Sequence, residues 1–174
     1  MVLKNGIEII IRKTVKEDAQ NLLDYLKIVG GESDNLTFDK NGLGLTVEQE
    51  EHYIENINSS RASAQFIGTI GHNIVCCGGV TAQSRDRTAH QSNLGISVLK
   101  EFWDIGVGTG LMEKMIEFAK ETGKTEIIHL GVRADNDRAI ALYKKLGFQE
   151  IGRYPKYFKI RGEYYDDILM NLYL

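Results

Sequence analysis

The sequence predicts one α/β domain, a mixed sheet with flanking helices in the order βααβββαβαββ. Three observations predict it. Apolar residues alternate between strand-like and helical spacing in one unbroken pattern over residues 1–174. The first half contains strands joined by a tight turn at Gly71-His72-Asn73, which argues for a mixed sheet and against a purely doubly wound one. Only one proline, Pro155, interrupts the chain, and no repeat or low-complexity segment divides it. At 43% hydrophobic and 26% charged, 174 residues suffice for a real core.

Gly6 to Lys13 (GIEIIIRK) is β-branched and reads as the first strand. Thr14-Val15-Lys16-Glu17 has the spacing of a capping box and opens a helix whose apolar face is Ala19, Leu22, Leu23 and Leu26, ending near Gly30-Gly31. Glu32 to Leu45 is polar and glycine-containing, hence a loop. Thr46-Val47-Glu48-Gln49 is a second capping box, followed by Tyr53, Ile54 and Ile57 on the buried side of a second helix. Ser63 to Gly71 and Asn73 to Ser84 form two strands. Glu126 to Arg133 is a strand, Ala134 to Asn136 a turn, and Asp137 to Leu146 a helix with Ala139, Leu142, Tyr143 and Leu146 on one face. Phe148 to Ile151 and Glu163 to Leu172 are the last strands, around a turn at Lys159-Ile160-Arg161-Gly162.

The central stretch Leu94 to Glu117 carries the chemistry. It begins as a strand (Ile96, Val98, Leu99) and breaks at Lys100 to Asp104. It continues as a helix with Leu111, Met112, Met115, Ile116 and Ala119 at helical spacing. Gly106, Gly108 and Gly110 lie at the joint, where the absence of a Cβ lets a ligand approach the main chain. The first turn of a helix has unpaired N–H groups and partial positive charge, so strand, glycine turn and helix start together suit a phosphate. No Lys-Ser or Lys-Thr pair follows the glycines, so this is not a Walker loop, and Gly-x-Gly-x-Gly is not the dinucleotide spacing. The plain alternative is that small residues let the helix pack close to the sheet.

Several functions are disfavoured. A net charge of −3 argues against nucleic acid as the main partner. Met1 to Arg12 lacks a long apolar run and carries Lys4 and Glu8, so neither a signal peptide nor a membrane anchor is expected, the location expected is cytoplasmic, and the sequons at Asn35 and Asn58 are idle. Cys76 and Cys77 are strand neighbours pointing to opposite faces, poor disulfide partners and expected to be inert buried thiols. His52, His72, His90 and His129 are scattered without metal-ligand spacing, so no metal is expected.

Val98, followed five positions later by Trp103-Asp104-Ile105-Gly106-Val107-Gly108, resembles the acetyl-CoA motif of the GCN5-related N-acetyltransferases. The family's motif usually has Arg or Gln where Trp103 stands. An aromatic there resembles the ribosomal-protein and spermidine acetyltransferase branch. A second motif of the family follows: Val132, Asn136, Ala139, Leu142-Tyr143 and Gly147-Phe148. The resemblance covers residues 65–170 well and the N-terminal third loosely. It implies a mostly antiparallel central sheet and acetyl-CoA as co-substrate.

The resemblance also implies roles. The cofactor's pyrophosphate would sit on the N–H groups between Asp104 and Thr109, spanning Ile105, Gly106, Val107 and Gly108, with Trp103 beside them. The backbone of Ile96 and Val98 would lie along the pantetheine arm, where the strand splays from Glu126 to Arg133, and the Val98 N–H would donate to the thioester oxygen. Asn136 either caps its helix or bonds the pantetheine, and the two roles are compatible. Ala139 belongs to the same cofactor set. Tyr143 reads as core from its spacing alone; the resemblance makes it the hydroxyl that assists the departing sulfur. A thiol of pKa about 8.5 and a phenol of about 10 make that a hydrogen bond with partial acid character. The loop with Glu32, Ser33 and Asp34 would form one wall for the acceptor, although for any single one of these residues a solvated acidic loop is the better reading. Many relatives carry a glutamate on the strand of Val98, but Gln91 to Leu99 has no carboxylate, so the base would be Asp86, His90, Glu32 or a water chain. That absence favours an acceptor that loses its proton easily. The expected activity is transfer of acetyl to a primary amine, small or peptidic, by direct attack, with a homodimer as one expected assembly. The alternative is a non-catalytic acyl-CoA-binding domain on the same fold.

Overall fold

The computed structural model describes residues 1–174 and contains one seven-stranded sheet. The elements are β1 (Ile10–Lys13), α1 (Ala19–Glu32), α2 (Val47–Ser59), β2 (Ala64–Ile70), β3 (Asn73–Ala82), β4 (Gln91–Val98), α3 (Val107–Glu121), β5 (Ile127–Arg133), α4 (Asp137–Lys145), β6 (Gln149–Ile160) and β7 (Glu163–Tyr173). Their order along the chain is the expected one. The strands lie in the order β1-β2-β3-β4-β5-β7-β6, and β4–β5 is the one parallel pair. No helix is long and apolar enough to cross a membrane.

The helices cover the two faces as their apolar stripes require. α3 buries Val107, Leu111, Met112, Met115 and Ala119, and Met115 reaches the bare main chain of Gly78, where a Cβ would lie 2.9 Å from its sulfur. On the opposite face α1 packs through Tyr25, whose hydroxyl lies 2.9 Å from Ser97 Oγ. α2 keeps the predicted box: Gln49 N–H donates to Thr46 Oγ1 (3.3 Å) and Thr46 N–H to Gln49 Oε1 (2.9 Å). Cys76 and Cys77 are unbridged, and burial pushes both thiols up, Cys76 to about 12.

Three expectations change. The first strand is only Ile10–Lys13, because Gly6 at φ 83° folds Met1–Ile9 back on itself, with Ile9 N–H on Met1 O (2.9 Å). Thr14 does not cap α1. It is fully buried with its hydroxyl 3.2 Å from Gln65 Oε1, and Asp18 instead accepts the Val15 N–H (2.8 Å) while pairing with Arg12 (2.6 and 2.7 Å). β6 continues to Ile160, well beyond the predicted Ile151. Pro155 is accommodated at a bulge between Tyr154 and Phe158, where Lys156 (φ 58°) donates its N–H to Asp166 Oδ1 at 2.9 Å. The hairpin turn is Arg161-Gly162, both left-handed (φ 50° and 89°), which matches the twist of the flanking strands.

Candidate active site

β4 and β5 pair only from Gln91–Asn93 to Ile127–His129. Beyond Asn93 they diverge, although β4 stays paired with β3 to Val98 and β5 with β7 to Arg133. The result is a wedge-shaped seam in the middle of the sheet. Leu99 N–H donates to Val75 O (3.0 Å) on the β3 side, so the alternating main chain of Ile96 and Val98 points into the seam. The seam opens into a cavity of about 1070 Å³ that runs from the α1–α2 loop to the start of α3 and the inner side of α4.

Most of the residues expected at the site line this cavity: Ser33, Ile96, Val98, Trp103, Asp104, Gly106, Gly108, Thr109, Asn136, Ala139 and Tyr143. The side chains of Ile105 and Val107 turn to the core instead, so only their main chain can serve a ligand. Glu32 and Asp34 are tied elsewhere. Glu32 Oε2 accepts the Lys100 N–H (2.7 Å), while Asp34 pairs with Arg161 and its carbonyl accepts from Arg133 (2.8 Å). Asp86 and His90 are not on the cavity wall.

The joint before α3 is shaped by two left-handed residues, Asp104 (φ 63°) and Gly106 (φ 105°). The first helical bond is Gly110 N–H to Gly106 O (3.0 Å), which leaves the amides of Val107, Gly108 and Thr109 ahead of the ladder. The three glycines have different uses. Gly106 permits the turn. Gly108 lies where a Cβ would meet Leu142 at 3.3 Å and Val98 at 3.9 Å, between α4 and β4. Gly110 faces away from the cavity and gives room to Met1.

Trp103 donates its indole N–H to Val98 O (2.8 Å) and so closes the wide end of the seam. Val98 O is thereby occupied and its N–H still faces the gap. Two cations missed in the sequence gather here. The Arg138 guanidinium lies 4.3 Å from the Trp103 ring centroid and 3.2 Å from Asp104, and Lys4 Nζ donates to Asp104 O (3.2 Å). Arg138 stands two residues after Asn136, next to a motif already in view; Lys4 arrives only by the fold-back of the N-terminus.

Asn136 caps α4 through its side-chain oxygen, which accepts the Ala139 N–H (3.3 Å), leaving its NH₂ for the cavity. Tyr143 is 7% exposed, with its ring 5.8 Å from Phe148. Burial alone pushes its phenol up to about 12, with no charge or hydrogen bond opposing it. It is a protonated donor at any ordinary pH.

Residues 36–148 match the acetyltransferase (GNAT) family. The chain is 35% identical over 106 residues to the L-amino acid N-acetyltransferase AaaT of Escherichia coli (strain K12), which spans 61% of this chain and 65% of that protein. It is 38% identical over 74 residues to an N-alpha-acetyltransferase of Sulfurisphaera tokodaii, 42% of this chain and 40% of the relative. The chain thus spans two thirds or less of the length of these curated relatives. An acetyltransferase of the GNAT family from Streptococcus pneumoniae superposes with a TM-score of 0.93 at 30% identity, covering 96% of this chain and 100% of that one. The structure of yncA from Salmonella typhimurium, described with its cofactor acetyl-CoA, has the same fold (TM-score 0.83, 17% identity, 95% and 94% coverage). With the family match spanning both the glycine joint and the Asn136–Phe148 segment, the chain belongs to the GNAT family of acetyltransferases.

Proposed function

We propose that this chain transfers acetyl from acetyl-CoA to a primary amine, with an α-amine of an amino acid or peptide as the preferred acceptor class. The observation that carries the reading is the seam: the main chain of Ile96 and the Val98 N–H, left without a β5 partner, lead directly to the unbonded amides of Val107, Gly108 and Thr109. The relatives named for L-amino acid and N-alpha acetylation support the acceptor class. For a peptide acceptor so does the lack of a carboxylate on β4, because a peptide's α-amine near pKa 7.8 costs only about 1 kcal/mol to deprotonate at neutral pH, against about 4–5 for a lysine-like amine.

The chain's residues divide the work along the cavity. The amides at the start of α3, with Arg138 and Lys4 beside them, hold the anionic end of the co-substrate. Asn136 offers its NH₂ to the arm. The Val98 N–H donates to the acyl oxygen as negative charge develops there, an arrangement that needs no reorganisation during the reaction. The Tyr143 hydroxyl donates to the sulfur as it leaves. With a phenol near 12 against a thiol of about 8.5, full proton transfer is uphill, so Tyr143 works as a hydrogen-bond donor. Acetyl-CoA supplies the activated acyl group. The experiment is release of free CoA with a panel of L-amino acids, a tripeptide, spermidine and an aminoglycoside. Faster release with the α-amines supports the reading. No release with any of them, alongside intact acetyl-CoA binding, leaves a non-catalytic acyl-CoA-binding domain.

A further inference from the structure

We propose that Asp167, on β7, is the carboxylate that takes the proton from the attacking amine. The inference rests on the acetyl-transfer reading above and supplies the base that β4 lacks.

Asp167 is 5% exposed, and its Oδ1 is buried with no hydrogen-bond partner. Buried carboxylates ordinarily collect donors or a counterion. The natural counterion is present but turned away: Arg133 is the register partner of Asp167, yet its guanidinium is spent on Asp135 (2.5 and 3.0 Å) and on Asp34 O (2.8 Å). Oδ2 lies over Gly131, in the space a side chain there would occupy; a Cβ on Gly131 would also fall 3.1 Å from the Asp167 carboxyl carbon. Gly131 lines the cavity. Asp167 itself is not part of the cavity lining; it stands one bare residue behind it, and the missing side chain of Gly131 is what leaves the carboxylate within reach of the seam.

The sheet register puts Asp167 on the acceptor's side. Asp167 shares a face with Arg133, Gly131 and His129. His129 is level with Asn93 across the parallel pair, and Asn93 shares its face with Gly95 and with Ser97, which meets Tyr25 of α1. This is the α1–α2 face. Continuing the register from Asn93–His129 sets Gly95 opposite Gly131 across the opening strands. Gly79 pairs with Gly95 on the other side, so three glycines in a row clear the floor along which an amine reaches the seam. The carboxylate stands at the end of that floor.

The charged and titratable groups around Asp167 are His129 and Arg133 on β5, Tyr154 on β6 and Tyr165 on its own strand. His129 lies 2.9 Å from Asn171 Oδ1 through Nδ1. Burial pushes the Asp167 carboxyl up and His129 opposes the shift. A raised carboxyl is a stronger base toward an ammonium than an ordinary one.

In the step, an ammonium N–H bond breaks and its proton passes to Asp167 Oδ2. The neutral amine then forms the N–C bond as the C–S bond breaks. The nitrogen sheds one further proton, the sulfur gains one, and Asp167 returns its proton to water.

The test is the Asp167→Asn variant, which keeps the shape and removes the base. With acetyl-CoA and the fastest amine of the panel, kcat/KM for the amine should fall roughly 10²–10⁴-fold near neutral pH. The remaining rate should climb with pH where the wild type levels off, and the acetyl-CoA-induced rise in melting temperature should persist. A wild-type rate and pH profile in the variant overturns the assignment. So does an equal loss at every pH with a lowered melting temperature, which is what a merely structural carboxylate would produce. Gly131→Ala is the second variant: it displaces the carboxylate without deleting it and should cost at least about 10-fold in the same parameter. An unchanged rate there also overturns the proposal. A wild type that releases no CoA with any amine removes the acetyl-transfer reading itself, whereas a working wild type with an equally active variant removes only Asp167.

Discussion

Tyr143 lines the cavity while its ring packs on Phe148, so one substitution separates chemistry from packing. Tyr143→Phe keeps the contact with Phe148. The expected result is a roughly 10–300-fold lower kcat, the low end of proton-transfer assistance, with acetyl-CoA affinity and melting temperature little changed. A shifted melting temperature with normal turnover would make Tyr143 a packing residue. Gly108 is the second residue-scale case. A side chain there points at Leu142 and Val98, inside the cleft between α4 and β4, and not outward at a phosphate. Gly108→Ala should therefore weaken acetyl-CoA binding by roughly 10-fold, the scale of one forced contact of about 1–2 kcal/mol. Gly110→Ala should leave binding alone, since it crowds Met1 and Ile11 on the side away from the cavity. Titration of acetyl-CoA into the two variants checks the pair.

At the scale of elements, the joint between β4 and α3 is completed by α4, which brings Arg138 onto the Trp103 ring and beside Asp104. The usual Arg or Gln of the family motif is Trp103 here, and the cation comes from the neighbouring helix instead. Arg138→Ala should raise the KM for acetyl-CoA about 3–10-fold, as fits a half-exposed charge-assisted contact, and should reduce its dependence on salt. Arg138→Lys should recover only part, because a lysine keeps the charge but not the planar stack on the indole. An unchanged KM in 50–300 mM salt, about the range over which screening changes most, would show that the pair only closes the seam.

At the scale of the molecule, acetyl-CoA should stabilise the fold by mass action. At about 100 times its Kd the gain is about 2.7 kcal/mol, or roughly 5–11 °C for a chain of this size. An unmoved thermal midpoint at millimolar acetyl-CoA would count against the site. The fold also carries a buried carboxyl with a pH signature opposite to that of Asp18 in its pair with Arg12. Glu50 is 1% exposed with neither oxygen hydrogen-bonded, and burial pushes it up from its ordinary 4.5, with Gln65 beside it opposing the shift. A carboxyl raised in the folded state binds protons more tightly than in the unfolded chain, so its stabilising protonation is present at low pH and lost as pH rises from 4.5 through the folded value. Asp18, held down by Arg12, runs the other way and loses its contribution as pH falls below its ordinary 3.8. Glu50→Gln should raise the melting temperature at pH 7 and flatten its decline above pH 4.5. A lower melting temperature in that variant at pH 7 would mean the carboxylate has a partner in solution.

Local pattern was enough for much of this molecule. The order of elements, the glycine joint, the Thr46 box and the Asn136 cap depend on residues within a few positions of one another, and spacing records them directly. The Thr14 cap failed because tertiary burial gave its hydroxyl to Gln65, fifty-one residues away. The long β6 escaped notice because Pro155 reads as a break, whereas a bulge and the Asp166 side chain absorb it. What no local pattern carries is which distant strands become neighbours. β7 enters between β5 and β6, and this alone sets Asp167 over Gly131 and Arg133 against the loop at Asp34. The seam itself is of the same kind: each strand is regular on its outer edge, and only the parting of β4 from β5 after Asn93 exposes the main chain of Ile96 and Val98. Sequence determined the parts and the chemistry they bear, because propensity and capping act over one or two turns. Tertiary structure decided which side chains share the cavity, because strand order and register act across the whole chain.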